Sequence, residues 1–274
     1  MDTKDLLIRS LVALICIPVI FGAAIIGELV FLALIDIIVL IALLEFYAMQ
    51  KHKGLQPLAI PGVLWVMAAS VDLYMYSASH IVPILAGFAG VSMMYGLFFR
   101  RQQRAINVAV TILGALYTSL LFFMILLRQL PEQAGLSSHT GAHLIIVVFS
   151  VIWACDTAAY IFGSMYGKTP LAPQVSPKKT VEGFFAGLAG GMLVTILLGT
   201  WLLPEFSILT YCMIGLIIGT VGQVSDLLES MFKRDAGVKD SSHILPGHGG
   251  ILDRFDNPIL SVPVLYAYMY LLLR

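Results

Sequence analysis

Charged residues are scarce in this sequence of 274 residues, and their scarcity excludes a soluble globular domain. Only 12% of the residues are Asp, Glu, Lys or Arg, whereas a soluble domain carries about 25%. Too few ionic groups remain to cover a water-facing surface. The formal net charge is zero, so the chain has no overall positive field that would attract nucleic acid, and we expect no nucleic-acid partner.

Cysteine is also scarce, and this excludes a disulfide framework. Cys16, Cys155 and Cys212 lie in apolar segments, and their spacing matches no metal-binding motif. We predict three buried thiols. The sequence also lacks internal repeats, low-complexity tracts and polar linkers, so we predict a single membrane domain over residues 1–274.

Long apolar runs, by contrast, are abundant, since 59% of the residues are hydrophobic. A helix needs about 20 apolar residues to cross the hydrocarbon core of a bilayer. The sequence therefore predicts an all-α integral membrane protein with nine membrane-spanning helices. Helices 1–5 fall within residues 1–142, and helices 6–9, with the polar loops 166–182 and 229–257, within residues 143–274. The predicted spans are 10–27, 29–49, 57–77, 81–99, 107–127, 143–165, 183–203, 208–228 and 258–273.

The basic residues are unevenly distributed between these spans. If nine helices alternate in direction, 14 of the 16 Lys and Arg residues lie on the same side as the N-terminus. Cytoplasmic loops of membrane proteins attract Lys and Arg. We therefore predict that the N-terminus and both long polar loops face the cytoplasm. The predicted location is the cell (inner) membrane, in which the chain is a multi-pass protein.

Acidic side chains are rare in or near the predicted spans, because a carboxylate there costs at least ~2.5 kcal/mol and usually faces a cavity or a partner. They are Asp36, Glu45, Asp72, Asp156 and Asp226. Asp156 lies near the middle of the sixth span, with Tyr160 one turn away on the same face. It is either a functional residue or a neutral, hydrogen-bonded structural acid.

The end of the eighth span carries a polar stripe. If the helix continues, Asp226, Ser230 and Lys233 lie on one face at positions i, i+4 and i+7. An ordinary helix end is the alternative, since Lys233 and Arg234 suit the negative end of a helix dipole. That alternative does not explain the acid.

The stretch "KRDAGVKDSSHILPGHGGILDRFD" (233–256) concentrates eight charged residues in 24 positions. Glycines surround His248, and consecutive backbone N–H groups in such turns can bind anions. The stretch also supplies cations and hard oxygen ligands of the kind that hold Mg²⁺ together with phosphates. These are Lys239, Asp240, Asp253, Arg254 and Asp256. A metal–polyphosphate site is the hypothesis, and a loop that binds lipid headgroups is the alternative.

The other polar loop contains "SPKKTVEG" (176–183). Ser176 and Pro177 resemble a helix cap followed by proline at the first helical position. Lys178 and Lys179 would then lie in a first turn, where cations and free N–H donors favour a phosphate. Glu182 is predicted to pair with one of the two lysines.

These residues together resemble a known family. Ser230-x-x-Lys233-Arg234, then Lys239-Asp240, then Pro246-x-His248-Gly249-Gly250-x-x-Asp253-Arg254-x-Asp256 is similar to the signature of the phosphatidate cytidylyltransferases, also called CDP-diacylglycerol synthases. "SPKKTVEG" and the "CDTAAY" segment around Asp156 are similar to family patterns as well. The resemblance is carried by motifs over about residues 155–260.

The resemblance implies a membrane enzyme with nine helices that joins CTP and phosphatidate to give CDP-diacylglycerol and pyrophosphate. It implies a homodimer with Mg²⁺ and a monovalent cation, K⁺, and it places Asp226 and Asp253 as metal ligands. The predicted catalytic residues are Asp156, Asp226, Lys239, Asp240, His248, Asp253 and Arg254. The predicted substrate-binding residues are Lys178, Lys179, Ser230, Lys233, Arg234, Gly249, Gly250 and Asp256. Asp156 would line the lipid-side cavity or hold a second cation, and His248 would orient phosphate or carry a proton.

Two other functions compete with this hypothesis. A CTP-dependent kinase of a lipid alcohol would transfer the γ-phosphoryl group and release CDP instead of pyrophosphate. A transporter or channel would use the intramembrane acids as an ion path, but the sequence shows neither inverted repeats nor matching broken helices.

Overall fold

The protein is built almost entirely from helices. The computed structural model describes residues 3–99, 102–244 and 249–274. The helices are α1 (Thr3–Ile26), α2 (Glu28–His52), α3 (Ala59–Tyr76), α4 (Ile81–Phe99), α5 (Arg104–Ser119), α6 (Phe123–Gln133), α7 (Ser138–Tyr166), α8 (Val181–Leu202), α9 (Ile208–Ile217), α10 (Gln223–Asp235) and α11 (Leu252–Leu273). A 3₁₀ turn, Leu120–Phe122, joins α5 to α6, and a π-helical turn, Ile218–Gly222, joins α9 to α10.

Seven helical segments among the described residues are long and apolar enough to cross a membrane, which confirms a helical, multi-pass membrane protein. They are Glu28–His52, Ala59–Tyr76, Ile81–Phe98, Arg104–Gln133, Ser138–Tyr166, Val181–Leu202 and Ile208–Asp235. Two of these segments are composite helices that continue through the 3₁₀ turn and the π turn. The number nine and the direction of the N-terminus stay predictions.

Helices extend further into the polar segments than the sequence predicts. The polar segment 229–257 is helical at both ends, because α10 runs to Asp235 and α11 already begins at Leu252. Pro258 therefore lies inside α11 and does not mark its beginning. Hydropathy marks where a helix leaves the lipid, whereas the helix itself ends where its backbone hydrogen bonds end.

The loop before α8 forms a β-hairpin, so the predicted helix start at Ser176 is wrong. Strand β1 (Pro170–Ala172) pairs antiparallel with β2 (Ser176–Thr180). Thr180 is the actual cap: its Oγ1 accepts a hydrogen bond from the Gly183 N–H at 3.1 Å. Lys178 and Lys179 consequently lie on β2 and not in a first helical turn.

The described residues form two compact units. The first unit comprises Met1–Cys16, Leu29–Phe122 and Lys233–Arg254. Here α2 and α5 pack closely: the Tyr47 hydroxyl donates to the Thr111 carbonyl oxygen at 2.8 Å, and a Cβ on Gly114 would lie 2.8 Å from the Tyr47 ring. The buried half of α2 is therefore firmly held.

The second unit comprises Ile17–Glu28, Phe123–Phe232 and Phe255–Arg274. A stripe of glycines on α8, at 183, 187 and 191, allows α7 to pack at close range. A Cβ on Gly183 would lie 2.9 Å from the Ala159 carbonyl oxygen, and a Cβ on Gly187 would lie 2.9 Å from that of Cys155. Cys155 is buried, whereas Cys16 and Cys212 are only partly buried.

Candidate functional site

Three carboxylates meet in the second unit. Asp226, Glu229 and Asp256 each offer an oxygen atom, and these atoms all lie within 4.8 Å of one another. We call this group the acidic cluster. Asp226 and Glu229 are one turn apart on α10, and Glu229 is fully buried. Asp256 comes from the first turns of α11.

Two small residues bring α10 and α11 close enough for this cluster to form. The Ser225 hydroxyl donates to the Asp256 carbonyl oxygen and accepts from the Leu260 N–H at 3.3 Å, so it is inserted between two groups of the α11 backbone. Gly222 lies against the Asn257 side chain, and any Cβ at this position would clash with it. The sequence "GQVSD" thus fixes where Asp256 lies relative to Asp226.

The acidic cluster concentrates negative charge. Burial raises the pKa of Asp256 well above its ordinary value, and the neighbouring Asp226, Glu229 and Asp156 raise it further. Lys179 of β2 forms an ion pair with Asp226, and the Ser230 hydroxyl is 3.4 Å from Asp226 Oδ1. Carboxylate oxygens are ligands that a hard divalent cation such as Mg²⁺ prefers, so the acidic cluster is a candidate metal site.

A second group of predicted residues meets in the first unit, around Asp253. Asp253 Oδ1 accepts a hydrogen bond from the Lys233 ammonium at 2.6 Å. Asp253 Oδ2 accepts from the Ser241 N–H at 2.9 Å, the Ser241 hydroxyl at 2.8 Å and the Gly250 N–H at 2.8 Å. We call residues 233–254 the signature loop. Through these hydrogen bonds Asp253 joins the two ends of the loop.

These donors hold Asp253 ionised. Burial raises the pKa of its carboxyl, but the hydrogen bonds from Lys233, Gly250 and Ser241 outweigh burial and lower the pKa to about 2. The carboxylate is therefore negative throughout the physiological pH range, and both of its oxygens already have donors.

The glycines of the signature loop pack against carboxylates. Gly249 has a φ of +77°, and a Cβ there would lie 2.6 Å from Asp253 Oδ2. A Cβ on Gly250 would clash with the Ser241 hydroxyl and lie 2.6 Å from both Glu45 carboxylate oxygens. Sequence reasoning places these glycines around a ligand. In the structure they make room for the protein's own acids.

The other predicted residues are arranged as follows. The Arg234 guanidinium donates to the Val238 carbonyl oxygen at 3.2 Å. Glu182 accepts from the Lys168 N–H at 3.1 Å and from Thr169, so the predicted pairing of Glu182 with Lys178 or Lys179 is wrong. His248 lies outside the described residues. The exposed residues are Asp156, Lys178, Arg234, Lys239, Asp240 and Arg254.

Two acids, Glu229 and Glu45, are not among the site residues predicted from the sequence. Glu229 is three residues after Asp226 on an amphipathic helix, and this spacing was a usable signal. Glu45 was recognised only as an acid near the end of a span. Its contacts with the signature loop join residues about 200 positions apart, so local spacing contains no trace of them.

The chain is similar to known proteins along nearly its whole length. Residues 7–272 match the profile of the cytidylyltransferase family. A phosphatidate cytidylyltransferase from Synechocystis is 34% identical over 292 residues, covering 97% of this chain and 97% of the relative. Proteins of the same name from Staphylococcus epidermidis and Staphylococcus aureus are each 32% identical, covering 94% of this chain and 96% of the relative. The family resemblance inferred from the signature is thus confirmed, and the chain belongs to the cytidylyltransferase family.

Proposed function

We propose that the protein transfers the cytidylyl group of CTP to phosphatidate, giving CDP-diacylglycerol and pyrophosphate for phospholipid synthesis. The observation that carries the proposal is the similarity, over nearly the whole of both chains, to relatives named phosphatidate cytidylyltransferase. The acidic cluster and the signature loop supply the acids and cations that this reaction needs.

The chemistry requires charge control more than a strong base. By analogy with other phosphomonoesters, phosphatidate carries about −1.5 to −2 charges near pH 7. One of its oxygens attacks the α-phosphorus of CTP, a new P–O bond forms, and the bond from the α-phosphorus to the bridging oxygen breaks. Pyrophosphate leaves with the electron pair. Positioning and electrostatic stabilisation carry most phosphoryl-transfer catalysis, so the protein must bring two anions together.

We assign the acidic cluster, Asp226, Glu229 and Asp256, to Mg²⁺, because its three carboxylate groups offer oxygen atoms within 4.8 Å of one another, and carboxylate oxygens are ligands of Mg²⁺. When bound, Mg²⁺ would offset negative charge on the CTP phosphates. Asp253 stays a predicted ligand, for which it would give up its bond with Lys233. A monovalent cation such as K⁺ belongs to the same proposal, and Asp156 is the candidate acid beside it.

Cationic side chains would bind the phosphates. Lys179 already faces an acid of the cluster and would move from Asp226 to a phosphate oxygen when a metal takes its place. Lys178, Lys239 and Arg254 are exposed and able to meet a nucleotide from solution. His248 keeps its predicted role of orienting phosphate or carrying a proton.

The defining assay measures the product that leaves. With purified protein in mixed micelles, CTP and phosphatidate are expected to give pyrophosphate and CDP-diacylglycerol in equal amounts. A lipid alcohol offered with CTP is expected to give neither product. Release of CDP from that pair would indicate the kinase instead, and absence of turnover with every nucleoside triphosphate would favour a transporter.

We further propose nine spans in the inner membrane, with a cytoplasmic N-terminus and active site, in a homodimer. Nine spans place the C-terminus opposite the cytoplasm. Alkaline phosphatase fused after residue 274 or within residues 134–137 is therefore expected to be active, and green fluorescent protein at the same points dark. Fusions within residues 173–175 should give the reverse pattern. A fluorescent fusion at residue 274 would contradict the count of nine.

A further inference from the structure

Glu45 of α2 is an acid with an unusual set of contacts. Its side chain is buried, with 3% of the residue exposed, and its carboxylate accepts four hydrogen bonds from the signature loop. Oε1 accepts from the Ser242 hydroxyl at 2.6 Å and the Ile251 N–H at 3.0 Å. Oε2 accepts from the Leu252 N–H at 2.7 Å and lies 3.2 Å from the Ser241 hydroxyl, whose single proton it shares with Asp253 Oδ2.

These contacts connect two distant parts of the loop. Ser241 and Ser242 lie in its middle, whereas Ile251 directly precedes α11 and Leu252 is the first residue of that helix. The Leu252 N–H has no partner within its own helix, since it belongs to the first turn. Glu45 therefore acts as a cap supplied by another helix, and its negative charge suits the positive end of α11.

An ion pair also joins the same end of α2 to the beginning of the loop. Lys53, just after α2, forms an ion pair with Asp235, the last residue of α10. The buried face of α2 is itself held by the Tyr47 hydrogen bond to Thr111. The C-terminal end of α2 thus contacts the loop at its beginning, its middle and its end.

We infer that Glu45 is a positioning residue for the CTP-binding side chains of the signature loop. It acts through Ser241, whose N–H and hydroxyl both donate to Asp253, which in turn holds Lys233. Arg254 is the residue directly after Asp253 in α11. The inference rests on the proposed function, because that function assigns these cations to the nucleotide.

Glutamine in place of Glu45 tests this with little change of shape. Its carboxamide has one acceptor oxygen, and its NH₂ group faces hydrogen-bond donors whichever way it turns. Amide exchange in a peptide covering residues 249–252 is expected to become roughly tenfold or more faster. The value of kcat/KM for CTP is expected to fall about 10- to 100-fold, the range known for residues that orient metal ligands, while KM for phosphatidate stays within about twofold.

Asp72→Asn is the matched control. Asp72 is equally buried in the same unit, but it accepts hydrogen bonds from His80 and not from the loop. This variant should leave amide exchange in residues 249–252 and both KM values unchanged. If Glu45 only supported folding, Glu45→Gln would lower the yield of folded protein and leave the KM for CTP of the purified fraction unchanged.

Two results would overturn the inference: unchanged amide exchange in Glu45→Gln, or equal changes in the constants for CTP and phosphatidate. If Glu45→Gln does not fold, Ser242→Ala decides, since it removes one donor only. The value of kcat/KM for CTP should then fall severalfold, and an unchanged value overturns the inference. Amide exchange can be measured without turnover. If the unmodified protein does not catalyse the proposed reaction, that result is therefore distinguished from a failure of the inference about Glu45.

Discussion

Asparagine in place of Asp226 is expected to lower turnover about a thousandfold at millimolar Mg²⁺, because a bound cation contributes several kcal/mol to such reactions. Asp226 is the part of the acidic cluster that also faces Lys179 and Ser230. Asparagine keeps the shape of the side chain but removes its charge. The two remaining carboxylates, Glu229 and Asp256, then hold a divalent ion less tightly.

The measurement that isolates this effect is Mn²⁺ binding, followed by electron paramagnetic resonance on purified protein. The affinity of Asp226→Asn should fall at least tenfold, in line with its loss of pyrophosphate release. Asp72→Asn makes the same change at a buried acid whose hydrogen bonds come from His80, and it should leave both quantities unaltered. Undiminished Mn²⁺ affinity in Asp226→Asn would remove the metal from the acidic cluster.

Asparagine in place of Asp253 is expected to abolish turnover while the membrane helices stay folded. The carboxylate accepts from the Lys233 ammonium on one oxygen and from Ser241 and Gly250 on the other. The NH₂ group of asparagine must face one of these donors. Breaking a buried ion pair by removing one partner costs about 3–5 kcal/mol, and here the penalty falls on the signature loop.

Two readouts separate the roles of Asp253. Thermal unfolding of the variant in detergent, monitored by circular dichroism, should begin within a few degrees of that of the unmodified protein, whereas pyrophosphate release should be lost. Mn²⁺ affinity then distinguishes a ligand, for which it falls as far as in Asp226→Asn, from an organiser of the loop, for which it is kept. Normal turnover would contradict both roles, and Asp72→Asn again serves as control.

Seven membrane helices among the described residues were predictable from the sequence, because a bilayer requires a long apolar run. The ends of the helices were not. The N-terminus of α11 is stabilised by the Glu45 carboxylate, which comes from another helix. The N-terminus of α8 depends on Thr180 and not on Ser176, and the pairing of β1 with β2 decided between them.

The sequence shows which kinds of residue are near the candidate site, but not how they are arranged. Acids, cations and glycines lie in two polar segments of the sequence. It does not reveal that Asp256 meets Glu229, because their approach depends on Ser225 entering the backbone of α11. Nor does it reveal that Gly250 lies against Glu45, for which three-dimensional packing is the only evidence.

The distance in sequence between Glu45 and its donors has a consequence for biogenesis. The four donors follow Glu45 by 196 to 207 residues. At about 5–20 residues per second, a ribosome needs about 10–40 s to make them. During that interval α2 enters the bilayer while the Glu45 carboxylate lacks these four donors. The early helices therefore complete their assembly only after nearly the whole polypeptide has been translated.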